Sequence, residues 1–93
     1  MLGISREEAG NILEIYPNPV TDRFFLSIPA RVKDIRDAAI YDISGVKVFT
    51  IEQSLRSGVD QVIEVDASQL NPGIYFIRVD SGVGTVFKRF GVQ

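Results

Sequence analysis

Asn71-Pro72-Gly73-Ile74-Tyr75-Phe76-Ile77-Arg78-Val79-Asp80-Ser81-Gly82 is the stretch that decides the fold. Ile74 to Val79 is apolar nearly throughout, which reads as a central strand with neither face fully wet. Turn residues bracket it. Asn71-Pro72-Gly73 fits a type II turn, with Pro72 at the first central position and Gly73 at the second, where φ is positive. Asp80-Ser81-Gly82 marks the exit. Tyr75 enters the strand directly after the turn, and a buried tyrosine hydroxyl needs a partner, which often pins a corner of a sandwich.

The same pattern recurs outward in both directions. Turn signals stand at Pro17-Asn18-Pro19, Pro29, Ser44-Gly45 and Ser57-Gly58. Between them lie six further short runs, at Ile12–Tyr16, Arg23–Ile28, Ala38–Ile43, Val46–Ile51, Gln61–Val65 and Thr85–Phe90. Phe24, Leu26 and Ile28 alternate cleanly with Arg23, Phe25 and Ser27. In the last run Val86, Lys88 and Phe90 alternate with Phe87 and Arg89. Seven strands predict an all-β chain, a seven-stranded antiparallel β-sandwich of immunoglobulin-like architecture, without the Cys–Trp–Cys core of antibody domains. Ser5-Arg6-Glu7-Glu8 has capping-box form, but no apolar period follows and Gly10 ends it, so residues 1–10 read as a linker, one short turn or an expression remnant. Asp66-Ala67-Ser68-Gln69-Leu70 reads as a single helical turn crossing between sheets, with Leu70 plugging the core.

Composition removes whole classes of function. The chain has 93 residues, 45% of them hydrophobic, which suits one globular domain with a thin core. Ten Lys and Arg against twelve Asp and Glu leave no basic surplus, so a nucleic-acid partner is disfavoured. There is no Cys, His or Trp. No Ser-His-Asp or Cys-His site, disulfide, imidazole ligand or thiolate ligand is therefore available. The carboxylates are scattered through turns and strand faces, and a thin core leaves little room for a pocket. The expectation is a non-catalytic domain with no cofactor and no metal. No run approaches the ~20 apolar residues of a membrane-spanning helix, and the N-terminus lacks the form of a secretory signal.

Several motifs have structural readings of their own. In Tyr16-Pro17-Asn18-Pro19 both prolines lack an N–H and hold the preceding residue extended, which ends a strand in a rigid corner. A rigid exposed corner also suits docking, since it loses little entropy on binding. Asp42 stands where its carboxylate accepts backbone N–H bonds across the Ser44-Gly45 turn. As a calcium ligand it lacks company, since calcium takes ~6–8 oxygens. Arg31, Lys33 and Arg36, interleaved with Asp34 and Asp37, read as a solvated loop, with lipopolysaccharide phosphate as the alternative contact.

Three segments together resemble a known family. Tyr16-Pro17-Asn18-Pro19-Val20, Ile40-Tyr41-Asp42-Ile43-Ser44-Gly45-Val46-Lys47-Val48 and Leu70-Asn71-Pro72-Gly73-Ile74-Tyr75-Phe76-Ile77-Arg78-Val79 stand in the order and at the spacing of the C-terminal sorting domains of the type IX (Por) secretion system of Bacteroidetes. The resemblance covers residues 11–93. It implies a sorting signal on an N-terminal cargo domain, transit through the periplasm, recognition by the outer-membrane secretion machinery, and release or anchoring at the cell surface by a sortase. It also implies a longer parent carrying the signal peptide. Family members often end near a basic residue, whereas here Lys88-Arg89 precede a Gly91-Val92-Gln93 terminus.

The last run is the candidate recognition element: Thr85, Val86, Phe87, Lys88, Arg89 and Phe90. A strand that ends the chain is expected at a sheet edge, offering unpaired N–H and C=O groups to a partner strand. Lys88 and Arg89 equally suit a gatekeeping role against pairing between copies, and an edge-strand dimer is permitted. Tyr16, Pro17, Asn18, Pro19, Asp42, Gly45, Pro72, Gly73 and Tyr75 are expected to hold the frame. The competing function is an accessory carbohydrate-binding or adhesion sandwich, in which Tyr16, Tyr41 and exposed phenylalanines would have to replace the absent Trp.

Overall fold

Each of the seven expected runs forms a strand, with ends displaced by at most two residues. A computed structural model describes residues 12–82 and 84–93, so the reading of residues 1–10 lies outside the described residues. The strands are β1 (Glu14–Tyr16), β2 (Arg23–Ile28), β3 (Asp37–Asp42), β4 (Lys47–Thr50), β5 (Gln61–Asp66), β6 (Gly73–Ser81) and β7 (Gly84–Val92). They form two antiparallel sheets, ordered β1-β2-β5 and β4-β3-β6-β7.

Period-two alternation in β2 drives Phe24, Leu26 and Ile28 completely out of water. They share one core with Ile40, Ile77, Val79, Val86 and Phe90 of the other sheet. The ring centroids of Phe24 and Phe90 lie 5.1 Å apart, and those of Tyr75 and Phe90 lie 5.9 Å apart. Each such side chain contributes about 1.5–3 kcal/mol relative to an exposed one. β6 lies between β3 and β7, as its apolar sequence requires. Tyr75, Ile77 and Val79 face the core, while Ile74 and Phe76 stay half-buried on the other face.

Two local expectations need correction. Asp66 belongs to β5, and Asp66–Leu70 forms no helical turn. The Asp66 carboxylate accepts the Ser68 N–H at 2.9 Å, and Leu70 N–H closes onto the Ala67 carbonyl at 3.0 Å. A short polar side chain that bonds its own backbone diverts the chain from helix into a turn. Leu70 does pack against the core from its half-buried position. Gly73 is the other case. Its φ is +158°, far from the ~+80° of the second central residue of a type II turn. The β6–β7 ladder runs on to pair Gly73 with Val92, which draws the glycine into the strand. An added Cβ there would meet nothing nearer than Tyr75 Cε1 at 3.9 Å. The space is open, but φ +158° is a conformation that L side chains rarely adopt, so replacing Gly73 still strains the backbone.

The glycine with no room is Gly82. The loop before β3 lies against the end of the β6–β7 hairpin: Gly82 N–H faces the Lys33 and Asp34 carbonyls, at 3.2 and 3.0 Å, and Arg36 N–H donates to the Asp80 carbonyl at 2.8 Å. A Cβ on Gly82 would fall 2.5 Å from Asp34 Oδ2 and 2.8 Å from Asp34 Cβ. Asp34 itself sits at φ 56° and cannot retreat freely. Gly82→Ala is expected to lower stability by about 1–3 kcal/mol, the usual range for overpacking, with the midpoint shift in urea unfolding as the measurement. In the same loop Arg31, Lys33 and Arg36 are exposed, and Arg36 pairs with Asp34 at 2.7 Å, as a solvated loop predicts.

Candidate functional site: the C-terminal edge strand

β7 is the edge of the four-stranded sheet, as its position in the chain suggests. It pairs with β6 over nine residues, Gly84 to Val92, with no register shift. Its side chains divide sharply. Val86, Phe90 and Val92 are buried in the core, while Thr85, Phe87 and Arg89 project from the outer face, Phe87 at 44% exposure. Lys88 lies on the core-facing side but stays only half-buried. It lines an open crevice between β7 and β1 together with Glu14, Ile15, Tyr16 and Asn18. A charge aimed inward at a sheet edge is a device against edge-to-edge aggregation.

On the outer face the pairs Arg78↔Phe87 and Phe76↔Arg89 stand side by side. Arg78 Cζ lies 5.8 Å from the Tyr41 ring centroid, and Lys47 Nζ lies 6.0 Å from it on the β4 side. Arg78 Nε also donates to Asp80 Oδ1 at 3.1 Å, which the Thr85 hydroxyl reaches at 2.7 Å. The Thr85 hydroxyl and then Arg78 hold the Asp80 carboxyl below its ordinary value. The outer face beside β7 is thus a small lattice of arginine and aromatic rings.

The opening proline motif closes the C-terminal end of this edge. Val20 N–H donates to the Gly91 carbonyl at 2.7 Å, and Gln93 N–H donates to the Val20 carbonyl at 2.8 Å. Asn18 Oδ1 accepts the Gly91 N–H at 3.2 Å. Val20 and Val92 thereby form a parallel bridge. The Tyr16–Pro17 and Asn18–Pro19 bonds are both cis, and β1 ends at Tyr16, whose ring stacks on Phe25 at 5.7 Å. Pro17, Pro19 and the corner they form carry the chain from the β1 sheet to the β7 edge.

The family described as secretion system C-terminal sorting domain matches residues 14–93, from the first residue of β1 to the end of the chain. The chain belongs to this family. No curated protein and no solved structure matches it. A sorting domain of this kind is a C-terminal signal for type IX secretion. That role implies an attached N-terminal cargo, contact with the secretion machinery, and export to the cell surface or the medium.

The β3–β4 turn of the sorting domain is closed by its own hydrogen bonds. Asp42 Oδ1 accepts bonds from the Ser44 N–H at 3.0 Å, the Ser44 hydroxyl at 2.7 Å and the Val46 N–H at 3.0 Å. Gly45 completes the turn at φ 91°. The Ser44 hydroxyl, followed by the Val46 N–H, holds the Asp42 carboxyl below its ordinary value of 3.8. Bonds from the Ser68 hydroxyl and N–H do the same for Asp66. Carboxyls depressed in the folded state contribute stability above their unfolded value, which is lost as pH falls through the folded value. The sorting domain is therefore expected to show a flat melting temperature from about pH 7 to 5 and a decline below about pH 4. Asp42→Asn is expected to melt lower at neutral pH and to decline less in acid, as differential scanning fluorimetry across pH would read.

Tyr75 is buried at the start of β6. Its hydroxyl donates to the Asn71 carbonyl at 2.6 Å, directly before Pro72. Tyr75→Phe removes that bond while water can reach the exposed Asn71, and is expected to cost about 0.5–1.5 kcal/mol, or about 2–12 °C in melting temperature for a domain of this size.

The structure thus gathers Tyr16, Asn18 and Lys88 around one crevice, and it sets Thr85, Phe87 and Arg89 in one row. Asp42 lies apart at the β3–β4 turn, while Tyr75 pairs with Phe90 of β7 and stacks on its ring. Sequence reasoning missed Val20 and the tether from Asn18 to Gly91, which spans 73 positions. The one available signal is the pair of prolines, whose missing N–H groups leave the Asn18 side chain and Val20 to do the bonding. A second depression, on the exposed side of β2 and β5, is lined by Asp22, Arg23, Gln53, Glu64, Asp66 and Ser68. No aromatic ring lines it, so it offers a sugar no stacking platform.

Proposed function

We propose that this sorting domain acts as a folded, non-catalytic module whose recognition element is β7. The observation that carries the reading is the placement of that strand: it is the sheet edge, with Thr85, Phe87 and Arg89 on its exposed side. In this reading the cargo reaches the periplasm, outer-membrane machinery engages β7, and a surface sortase then releases or anchors the cargo. The architecture reads as immunoglobulin-like. Support comes from the grouping of strands 1-2-5 against 4-3-6-7, one core shared by both sheets, and the Tyr75 corner. An edge-strand dimer of the isolated domain is a side reaction of the same edge, held down by Lys88 and Arg89.

The test is export. Residues 11–93 are fused behind a signal-peptide-bearing fluorescent reporter in a type IX-competent bacterium, with a strain lacking the secretion pore as control. Pore-dependent fluorescence at the surface or in the medium is the expected result. Retention of a folded fusion in the periplasm would overturn the reading.

A further inference from the structure

Main-chain parity along β7 divides its backbone into two sets. Gly91 directs both its N–H and its C=O away from β6, to Asn18 and Val20. Successive residues of a strand direct these groups to opposite sides. With no register shift between β6 and β7, Thr85, Phe87 and Arg89 share the outward direction of Gly91, whereas Val86, Lys88 and Phe90 face β6. The outward groups of Gly91 are taken by Val20 and Asn18. Those of Thr85, Phe87 and Arg89 meet no backbone partner among the described residues. Pro17 and Pro19 have no N–H with which to continue the ladder that Val20 begins. Among the described residues the edge is thus closed at Gly91–Gln93 and open over Thr85–Arg89.

We propose that the translocation receptor binds this sorting domain by adding one extended strand to Thr85–Arg89, prolonging the pairing that Val20 starts; this rests on the reading of β7 as the recognition element. The bonds are made by the main chain of Thr85, Phe87 and Arg89, so affinity is carried by backbone and tolerates side-chain change. The side chains set selectivity. A partner strand presents an apolar residue to Phe87 and a carboxylate to Arg89 on the outer face, where Arg78↔Phe87 and Phe76↔Arg89 already alternate cation and ring. Val20 and Asn18 fix where the added strand must stop.

Proline substitution separates backbone from side chain. Phe87→Pro removes an outward N–H and leaves the β6 ladder whole, and an edge strand tolerates such a residue. Phe87→Ala keeps the N–H and removes the ring. The full 93-residue chain is fused behind the fluorescent reporter and expressed in competent and pore-less strains, and each purified variant is checked by circular dichroism and melting. Phe87→Pro is expected to stay folded and to lose about tenfold or more of pore-dependent export, the effect of one or two lost bonds. Phe87→Ala is expected to keep most of it. A folded Phe87→Pro domain exported like the parent overturns strand addition, as does equal loss in the two variants. Absence of export for the parent itself overturns the sorting reading instead. Amide hydrogen exchange on the free parent domain tests the same parity without any variant. The Phe87 and Arg89 amides are expected to exchange about 100-fold or more faster than those of Lys88 and Phe90. Equal protection of all four would show the edge already covered and would overturn the proposal.

Discussion

Phe24→Ala is expected to destabilise the domain by about 3–5 kcal/mol, the range for a fully buried phenylalanine whose site cannot collapse. Phe24 lies in β2 with no exposed surface, and its ring meets Phe90 of the opposite sheet at 5.1 Å. Leu26, Ile28 and Ile77 are equally buried around the same core. Each is held by a ladder, so little can move into the void. Domains are stable by only about 5–15 kcal/mol, and one of this length belongs near the lower end. Phe24→Ala therefore removes a large share of the total and lowers the melting temperature by about 12 °C or more. The midpoint of guanidinium unfolding at unchanged slope is the measurement. A shift under ~1 kcal/mol would mean that the two sheets do not share a packed core there.

Deletion of Thr85–Gln93 is expected to abolish export and unfold the sorting domain together. β7 is more than a tag. It supplies Val86, Phe90 and Val92 to the core, and its loss uncovers the long edge of β6 and one side of Tyr75. At about 1.5–3 kcal/mol for each large apolar side chain, the loss matches the whole stability of a domain of this size. The truncated fusion should keep a fluorescent reporter in the periplasm, while the rest of the sorting domain becomes sensitive to limited proteolysis. A protease-resistant remainder would show that β7 is peripheral to the fold. Truncation therefore cannot separate recognition from folding, and only substitutions on the exposed side, at Phe87 or Arg89, can do so.

Much of the frame was legible in the residues. The alternation of Phe24, Leu26 and Ile28, the apolar run of Ile74–Val79, the Asx turn at Asp42 and the corner at Tyr75 are each local patterns within a few residues. Local sterics and hydrogen bonding read them the same way in any context. Gly73 and Asp66 departed from expectation because a neighbouring strand or carboxylate competed with the local preference. In both cases the ladder or the side-chain bond won.

The candidate site was legible only in part. A C-terminal strand rich in Val, Phe and basic residues predicts an edge, and β7 is one. Its covering could not be read from the chain, because Asn18 and Gly91 are 73 positions apart and neither has a periodic signature. The same holds for Gly82, which looks like an ordinary turn glycine until the Asp34 side chain is found 2.5 Å from where its Cβ would stand.

The sequence by itself determined seven strands, which faces they bury and where the turns fall, because these follow from period-two patterning and the φ preferences of Gly, Pro, Asn and Asp. Only the tertiary structure decided which strands are neighbours, that Val20 closes one end of the last strand, and that Thr85, Phe87 and Arg89 are left on its open side. Those depend on long-range pairing, whose free energy belongs to the whole fold and to no single stretch of the chain.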